Sequence, residues 1–249
     1  MSKPDRLSAL ISRFDLRADI VNDLSAANLF LFGCVESGEI RRIEFWPLKS
    51  EVVHSTRDEL IVAASIDMGG EANPLVQALP KKIVLAVDQA RSIQDLSQLI
   101  LSEIVEARCG RATTIQRLFE VLVVILLRHA IQSDIEKTGL IAGLADDRIC
   151  KAIVAIHERP EFEWHIEDLA DIAGLSRSQF MECFKTCVGQ NPAQYLREWR
   201  LALVRKDLER GERVKAVASR YGYRSQEALS RAFSKHFHCT PSQYRLQAR

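Results

Sequence analysis

Residues 164–249 carry one pattern twice, and this duplication constrains the fold more than any other feature of the chain. The first copy runs Leu169-Ala-Asp-Ile-Ala-Gly174-Leu-Ser176-Arg-Ser-Gln-Phe180-Met-Glu-Cys-Phe184, followed by Gly189, Pro192 and Tyr195. The second runs Val217-Ala-Ser-Arg-Tyr-Gly222-Tyr-Arg-Ser225-Gln-Glu-Ala-Leu229-Ser-Arg-Ala-Phe233, followed by Pro241 and Tyr244. In both, a proline follows the last phenylalanine by eight positions and a tyrosine follows the proline by three. The period is that of one small helical unit.

Each copy predicts a helix-turn-helix. A short helix with one apolar face stops at Gly174 or Gly222, where a left-handed turn needs a residue without Cβ. Ser176 or Ser225 then stands where a hydroxyl caps the next helix. That second helix buries Phe180 and Phe184, or Leu229 and Phe233, four apart on one face. Its opposite face keeps Arg, Ser and Gln. Between the copies, residues 193–210 place Tyr195, Leu196, Trp199, Leu203 and Leu208 on an apolar stripe. Arg197, Arg200, Arg205, Lys206 and Arg210 make up a basic remainder. A helix of that length spans about 27 Å. With its turns it can set two reading helices about one duplex turn, ~34 Å, apart.

Charge points the same way. The net charge of +1 hides an uneven distribution, because residues 1–140 hold 16 Lys+Arg against 19 Asp+Glu while residues 193–249 hold 13 against 5. A basic excess confined to the repeat fits a polyanionic partner. Residues 148–192 hold 5 basic against 7 acidic side chains, so the second copy is expected to dominate affinity.

Other chemistries lack their residues. The cysteines at 34, 109, 150, 183, 187 and 239 show no metal-ligand spacing, and Cys183 and Cys187 read as small helix fillers. His236 and His238, two apart in a helix, do not face the same way. His54, His129, His157 and His165 have no nucleophile or acid that the sequence places beside them. Asp67, Asp146 and Asp147 are isolated turn or linker acids. Gly69-Gly70 and Cys109-Gly110 lack the lysine and spacing of a phosphate loop. No enzyme chemistry, cofactor or metal is expected. The longest apolar run, Val121 to Leu127, is too short for a bilayer, and the first twenty residues lack a signal-peptide core. The expected compartment is the cytoplasm, with no membrane partner.

The expected fold class is α+β. Residues 4–16 predict a short amphipathic helix. Leu29–Phe32, Ile40–Trp46, Leu60–Ala64 and Lys82–Val87 are short β-rich runs between turn signals, which suggest a small sheet or partly closed barrel. A helical hairpin follows, striped by Ile93, Leu96, Leu99, Ile100 and Ile104, then by Leu118, Leu122, Ile125 and Leu126. Phe119, Val123 and Leu127 widen the second apolar face, which a dimer contact or packing on the sheet would explain. Residues 133–147 read as a polar, glycine-containing linker.

On these residues the C-terminal segment resembles the DNA-binding domain of the AraC/XylS family of bacterial transcription regulators. The resemblance rests on Leu169-Ala, Gly174-Leu-Ser176, Phe180, Phe184, Gly189 with Pro192, and Tyr195-Leu196 with Arg200. The second copy adds Val217-Ala, Gly222-Tyr223, Ser225, Leu229 to Phe233, Phe237 and Pro241. The N-terminal part resembles, more loosely, the cupin-like sensor domain found ahead of such modules, without its usual His-containing barrel turns. The resemblance implies a cupin-like sensor or dimerisation domain over residues 1–140 and a DNA-binding domain over 141–249. Its implied partners are double-stranded promoter DNA, a small-molecule effector, RNA polymerase and a second copy of the chain. Activation is the usual family behaviour.

The resemblance also places the exposed residues of both second helices against bases or phosphates. In the first copy these are Arg177, Ser178, Gln179, Met181 and Glu182; in the second, Arg224, Ser225, Gln226, Glu227, Ser230 and Arg231. Arg231 and Gln226 suit guanine and adenine edges best. Glu227 could accept from cytosine N4 or serve as a helix-start carboxylate. Two departures stand out. Glu182 occupies the place where the family commonly has an arginine, the counterpart of Arg231. His238 occupies the place of a glycine, so the turn there is either less left-handed or strained. The alternatives are a duplicated module that binds another protein, and a DNA binder whose N-terminal domain serves assembly alone.

Overall fold

The computed structural model describes residues 5–14, 16–34, 37–48, 59–89, 91–106, 108–133 and 138–247. Helix α1 (Ser8–Arg13) precedes strands β1 (Arg17–Ile20), β2 (Leu29–Cys34), β3 (Glu39–Phe45) and β4 (Glu59–Asp67). The short α2 (Pro74–Ala78), strand β5 (Ile83–Ala86) and helices α3 (Arg91–Val105) and α4 (Arg111–Gln132) follow. Next come α5 (Leu140–Ala145), α6 (Ile149–Glu158), α7 (Ile166–Ala173) and α8 (Arg177–Val188). The last elements are α9 (Pro192–Glu209), α10 (Val214–Arg220), α11 (Gln226–Phe237) and α12 (Pro241–Gln247). The chain divides into two compact units, residues 14–71 with 76–135, and residues 1–13 with 72–75 and 136–249.

In the first unit the strands form an antiparallel sheet in the order β1-β4-β2-β3-β5, open rather than closed into a barrel among the described residues. The Leu-Phe-Leu-Phe run of β2 lies at its centre and is buried on both faces. Phe30 and Phe32 pack with Ala27 and Ala63, against half-buried Val21, Trp46 and Leu60. Glu44, across from Phe30, is buried too, and its carboxylate is paired with Arg42 at 3.1 Å and Lys82 at 2.9 Å. A buried carboxylate requires such partners. Strand β1 buries Ala18 alone, and its residues Arg-Ala-Asp-Ile lack the run of β-branched and aromatic side chains by which the other four strands are read from sequence.

Helices α3 and α4 pack on each other, α3 against β3 and α4 against β1 and β5. Their buried arcs differ from the expected stripes. In α4 the inward residues are Ile115, Phe119, Leu122, Val123, Leu126, Leu127 and Ala130, whereas Leu118 and Ile125 are half-buried. In α3 Leu99 is exposed, while Ser97 and Glu103 are buried. A helix apolar around much of its circumference does not itself specify which arc meets the core.

The second unit corrects one expectation. Residues 134–137 of the expected linker, and Pro4, Asp15 and His54, lie outside the described residues. The rest of that linker is no linker. It folds as α5, with Leu140, Ile141 and Leu144 buried against α6 and α8. Gly143 permits the close approach, since a Cβ there would lie 2.7 Å from Ile153 Cδ1 and 2.8 Å from Val188 Cγ2. Glycine that reads as a break in sequence here serves packing. In space residues 1–13 group with 136–249. Helix α1 packs on α6 with Leu7 and Leu10 buried. Arg6 donates to the Leu144 carbonyl at 2.7 Å, and Lys206 Nζ donates to the Arg13 carbonyl.

Candidate nucleic-acid interface

The first copy is built from α7 and α8. Helix α7 starts where Asp168 accepts the His165 backbone N–H at 3.0 Å, and it ends at Gly174, with φ of 69°. Ser176 caps α8, its Oγ accepting the Gln179 N–H at 3.4 Å. Gln179 Oε1 accepts in return from the Ser176 N–H at 3.2 Å and its hydroxyl at 2.9 Å, completing a capping box. Phe180, Phe184 and Val188 form the buried face. The Phe184 ring meets Phe180 at 5.5 Å and Tyr195 at 5.7 Å, both edge-on.

The second copy repeats this with α10 and α11. Gly222 turns the chain at φ 72°, and Ser225 Oγ accepts the Ala228 N–H at 3.2 Å. Leu229 and Phe233 are buried, and Phe233 meets Tyr244 edge-on at 5.6 Å. Helix α11 ends at His238 with φ of 58°, the positive-φ residue other than glycine among those described. The left-handed turn is therefore kept, and the cost falls on a residue type found in that region more often than most.

In each copy the tyrosine after the proline ties its unit to the helix that precedes the unit. The Tyr195 hydroxyl lies 2.6 Å from Nε2 of buried His157 on α6, and the Tyr244 hydroxyl donates to Glu209 Oε1 on α9 at 2.5 Å. Burial holds the His157 imidazole neutral, with its pKa pushed down to about 3. Trp199, expected as a core anchor, is buried with its ring 4.1 Å from that of His157. Asp207, also on α9, accepts from Arg220 and from the Tyr221 hydroxyl of the second copy. His157 and Asp207 escape notice in sequence because their partners are 38 and 14 residues away. The doubled Pro-x-x-Tyr spacing was the available signal for the tyrosines.

The expected contact residues lie on or beside α8 and α11. Arg177, Ser178, Gln179 and Glu182 are exposed and Met181 is half-buried. Arg177 Nε lies 3.2 Å from Glu167 Oε1, and Gln179 is occupied in the cap. In the second copy Arg224, Ser225, Gln226, Glu227 and Arg231 are exposed and Ser230 is half-buried. Arg224 lies 3.7 Å from Glu163. The carboxyl of Glu227 is held below its ordinary pKa by a hydrogen bond from Ser225, then by its own backbone N–H and by Arg231.

The first unit holds a separate concavity of about 690 Å³, lined by Glu39, Arg41, Asp88, Gln94, Ser97 and Gln98 among others. Ser97 is buried, and its hydroxyl has no hydrogen-bond partner among the described residues.

Residues 169–247 match the family described as a helix-turn-helix domain, and residues 35–132 match the family described as cupin. Over 195 residues the chain is 32% identical to a putative AraC-like transcription regulator of Streptomyces lividans, covering 76% of this chain and 64% of that one. The chain carries an AraC-type helix-turn-helix domain. It is also 34% identical over 154 residues to an uncharacterized HTH-type transcriptional regulator of Haemophilus influenzae, covering 61% of this chain and 52% of that one. It is 30% identical over 178 residues to the HTH-type transcriptional regulator MtrA of Neisseria gonorrhoeae, covering 70% and 58%. The chain thus spans between 52% and 64% of the length of these relatives. Among its described residues no helix is long and apolar enough to cross a membrane, and no cluster of His, Cys, Asp or Glu could hold a metal ion.

Proposed function

We propose that the protein is a sequence-specific, DNA-binding transcription regulator rather than an enzyme, working in the cytoplasm on promoter DNA. The observation that carries this is the pair of capped helices, α8 and α11, whose units both pack on the single helix α9. Each buries its aromatic or aliphatic face and leaves arginine, glutamine and serine on the other. Arg231 and Gln226 read base edges, Ser178 and Arg224 contact phosphate or bases, and Arg177 positions the first helix on the backbone. Ser176 and Ser225 fix where α8 and α11 begin by accepting the Gln179 and Ala228 N–H groups.

The cupin-matched unit supplies the signal. Its polar concavity, with the unpartnered Ser97 hydroxyl in the wall, suits a small hydrogen-bonding effector. Effector binding changes DNA occupancy through differential affinity for two states of the protein, by altering contact with a second copy or with RNA polymerase.

Selection of bound fragments from random duplex DNA, followed by footprinting, tests the reading. One copy of the chain is expected to protect a single asymmetric site of about 20 base pairs, across two adjacent major grooves. The logarithm of the binding constant should fall linearly and steeply with the logarithm of salt concentration. A module that binds protein instead would show no preference for any duplex over random DNA and no such slope.

A further inference from the structure

The stretch Pro160–Trp164, which leads from α6 into α7, touches both the connector and the second copy. Arg200 on α9 turns its guanidinium into this stretch instead of joining the exposed basic surface. Its Nε donates to the Pro160 carbonyl at 2.5 Å and its Nη2 to the Phe162 carbonyl at 2.9 Å. Burial lowers the pKa of Arg200 below its ordinary value, while Tyr223, Glu161 and Glu163 oppose the shift. The stretch is stiffened from within. Trp164 Nε1 donates to the Arg159 carbonyl at 3.0 Å, the Phe162 and Trp164 rings meet edge-on at 4.6 Å, and Arg159 stacks over Phe162 at 4.3 Å.

Gly222, in the turn of the second copy, lies against the same stretch. A Cβ at Gly222 would stand 2.5 Å from the Glu161 carbonyl oxygen and 3.2 Å from Glu161 Cα, both backbone atoms with nowhere to retreat. Arg224, two residues on, reaches toward Glu163. The entry to the first reading unit and the turn of the second are therefore in direct contact, with the Arg200 fork fixing the stretch to the rod between them. A guanidinium holds its donors in one rigid plane and so fixes the directions of two carbonyls at once, whereas an ammonium on a flexible stem leaves them free to turn.

We propose that Pro160–Trp164 is a positioning strap, and that Arg200 and Gly222 determine which spacing between two DNA subsites the protein accepts. The proposal rests on the two-helix DNA reading above. Shifting one subsite by one base pair moves it along the duplex and rotates it about the axis, so a strapped pair of helices loses one set of contacts. A loosened pair recovers them by rotating.

The experiment uses the full chain and the site found by selection, with one base pair added or removed between its two halves. Wild-type protein is expected to prefer the native spacing by about tenfold or more, the size of one lost base contact. Arg200→Met and Gly222→Ala should cut that ratio to within about threefold. Arg200→Lys, the milder variant if either of those fails to fold, should fall between. Arg231→Ala should lower binding at every spacing by a common factor. Unchanged spacing ratios in folded Arg200→Met, Gly222→Ala or Arg200→Lys would overturn the strap while leaving DNA reading intact. A wild-type chain with no duplex preference would overturn both.

Discussion

The Tyr221 hydroxyl donates to Asp207 Oδ2 at 2.8 Å, and the Arg220 guanidinium donates to the same oxygen at 2.6 Å. Asp207 lies among the buried positions of α9, 7% exposed, where a carboxylate without donors would cost several kcal/mol. Burial is the main reason the Tyr221 pKa is raised, followed by its hydrogen bond to Asp207. One carboxylate thus holds the end of α10 to the connector, and both its partners come from adjacent positions in the second copy.

Tyr221→Phe should destabilise the chain by about 1–2 kcal/mol, because one buried hydrogen bond is lost while Arg220 still pairs with Asp207. Asp207→Ala should cost more, about 2–4 kcal/mol, since the Tyr221 hydroxyl is then buried without an acceptor and a cavity remains. Urea denaturation followed by tryptophan fluorescence measures both. Equal losses in the two variants would contradict the shared-acceptor account.

His157 predicts an acid limb. Its folded pKa is depressed, to about 3 from 6.5, so the folded imidazole stays neutral where the unfolded one takes up a proton. The stability it supports is therefore fully present above about pH 6.5 and is lost as pH falls toward 3. The loss is at most about 1.4 kcal/mol per pH unit. In His157→Gln, which can still bond the Tyr195 hydroxyl, the fall in stability between pH 6.5 and 4 should be visibly shallower than in the wild type. Parallel curves would show that other groups carry the acid sensitivity.

The two reading helices should contribute unequally. Arg231→Ala is expected to weaken binding to the selected site by about 1–3 kcal/mol. Glu182→Ala, which removes a carboxylate from the surface facing phosphate, should leave affinity unchanged or raise it slightly. Fluorescence anisotropy at one fixed salt concentration compares them. If both variants bind like the wild type, the dominance of the second copy is refuted.

At His238 the left-handed turn is held by a residue with a Cβ. His238→Gly should raise the melting temperature, by an amount equivalent to up to about 1 kcal/mol, because the αL penalty disappears. His238→Val should lower it, since a β-branched residue tolerates that region least. Thermal unfolding reads both signs.

The repeated pattern, by itself, determined the two helix-turn-helix units, their caps at Ser176 and Ser225, and their buried faces at Phe180, Phe184, Leu229 and Phe233. These are local quantities: a hydroxyl three residues from the N–H it accepts, or side chains one turn apart on a helix. Four strands were legible for the same reason, since a β-rich run bounded by turn residues is a property of consecutive positions. Tertiary structure decided the rest. Gly139 and Gly143 read as breaks in sequence, yet Gly143 is what lets α5 approach Ile153 and Val188. Arg200 reads as surface charge until Pro160 and Phe162, 40 and 38 residues away, are brought to its guanidinium. Helix α1 groups with residues at the other end of the chain. Periodicity says that a face is apolar or that a side chain is charged. What that face or charge will meet depends on the path of the backbone between distant residues, which no local pattern records.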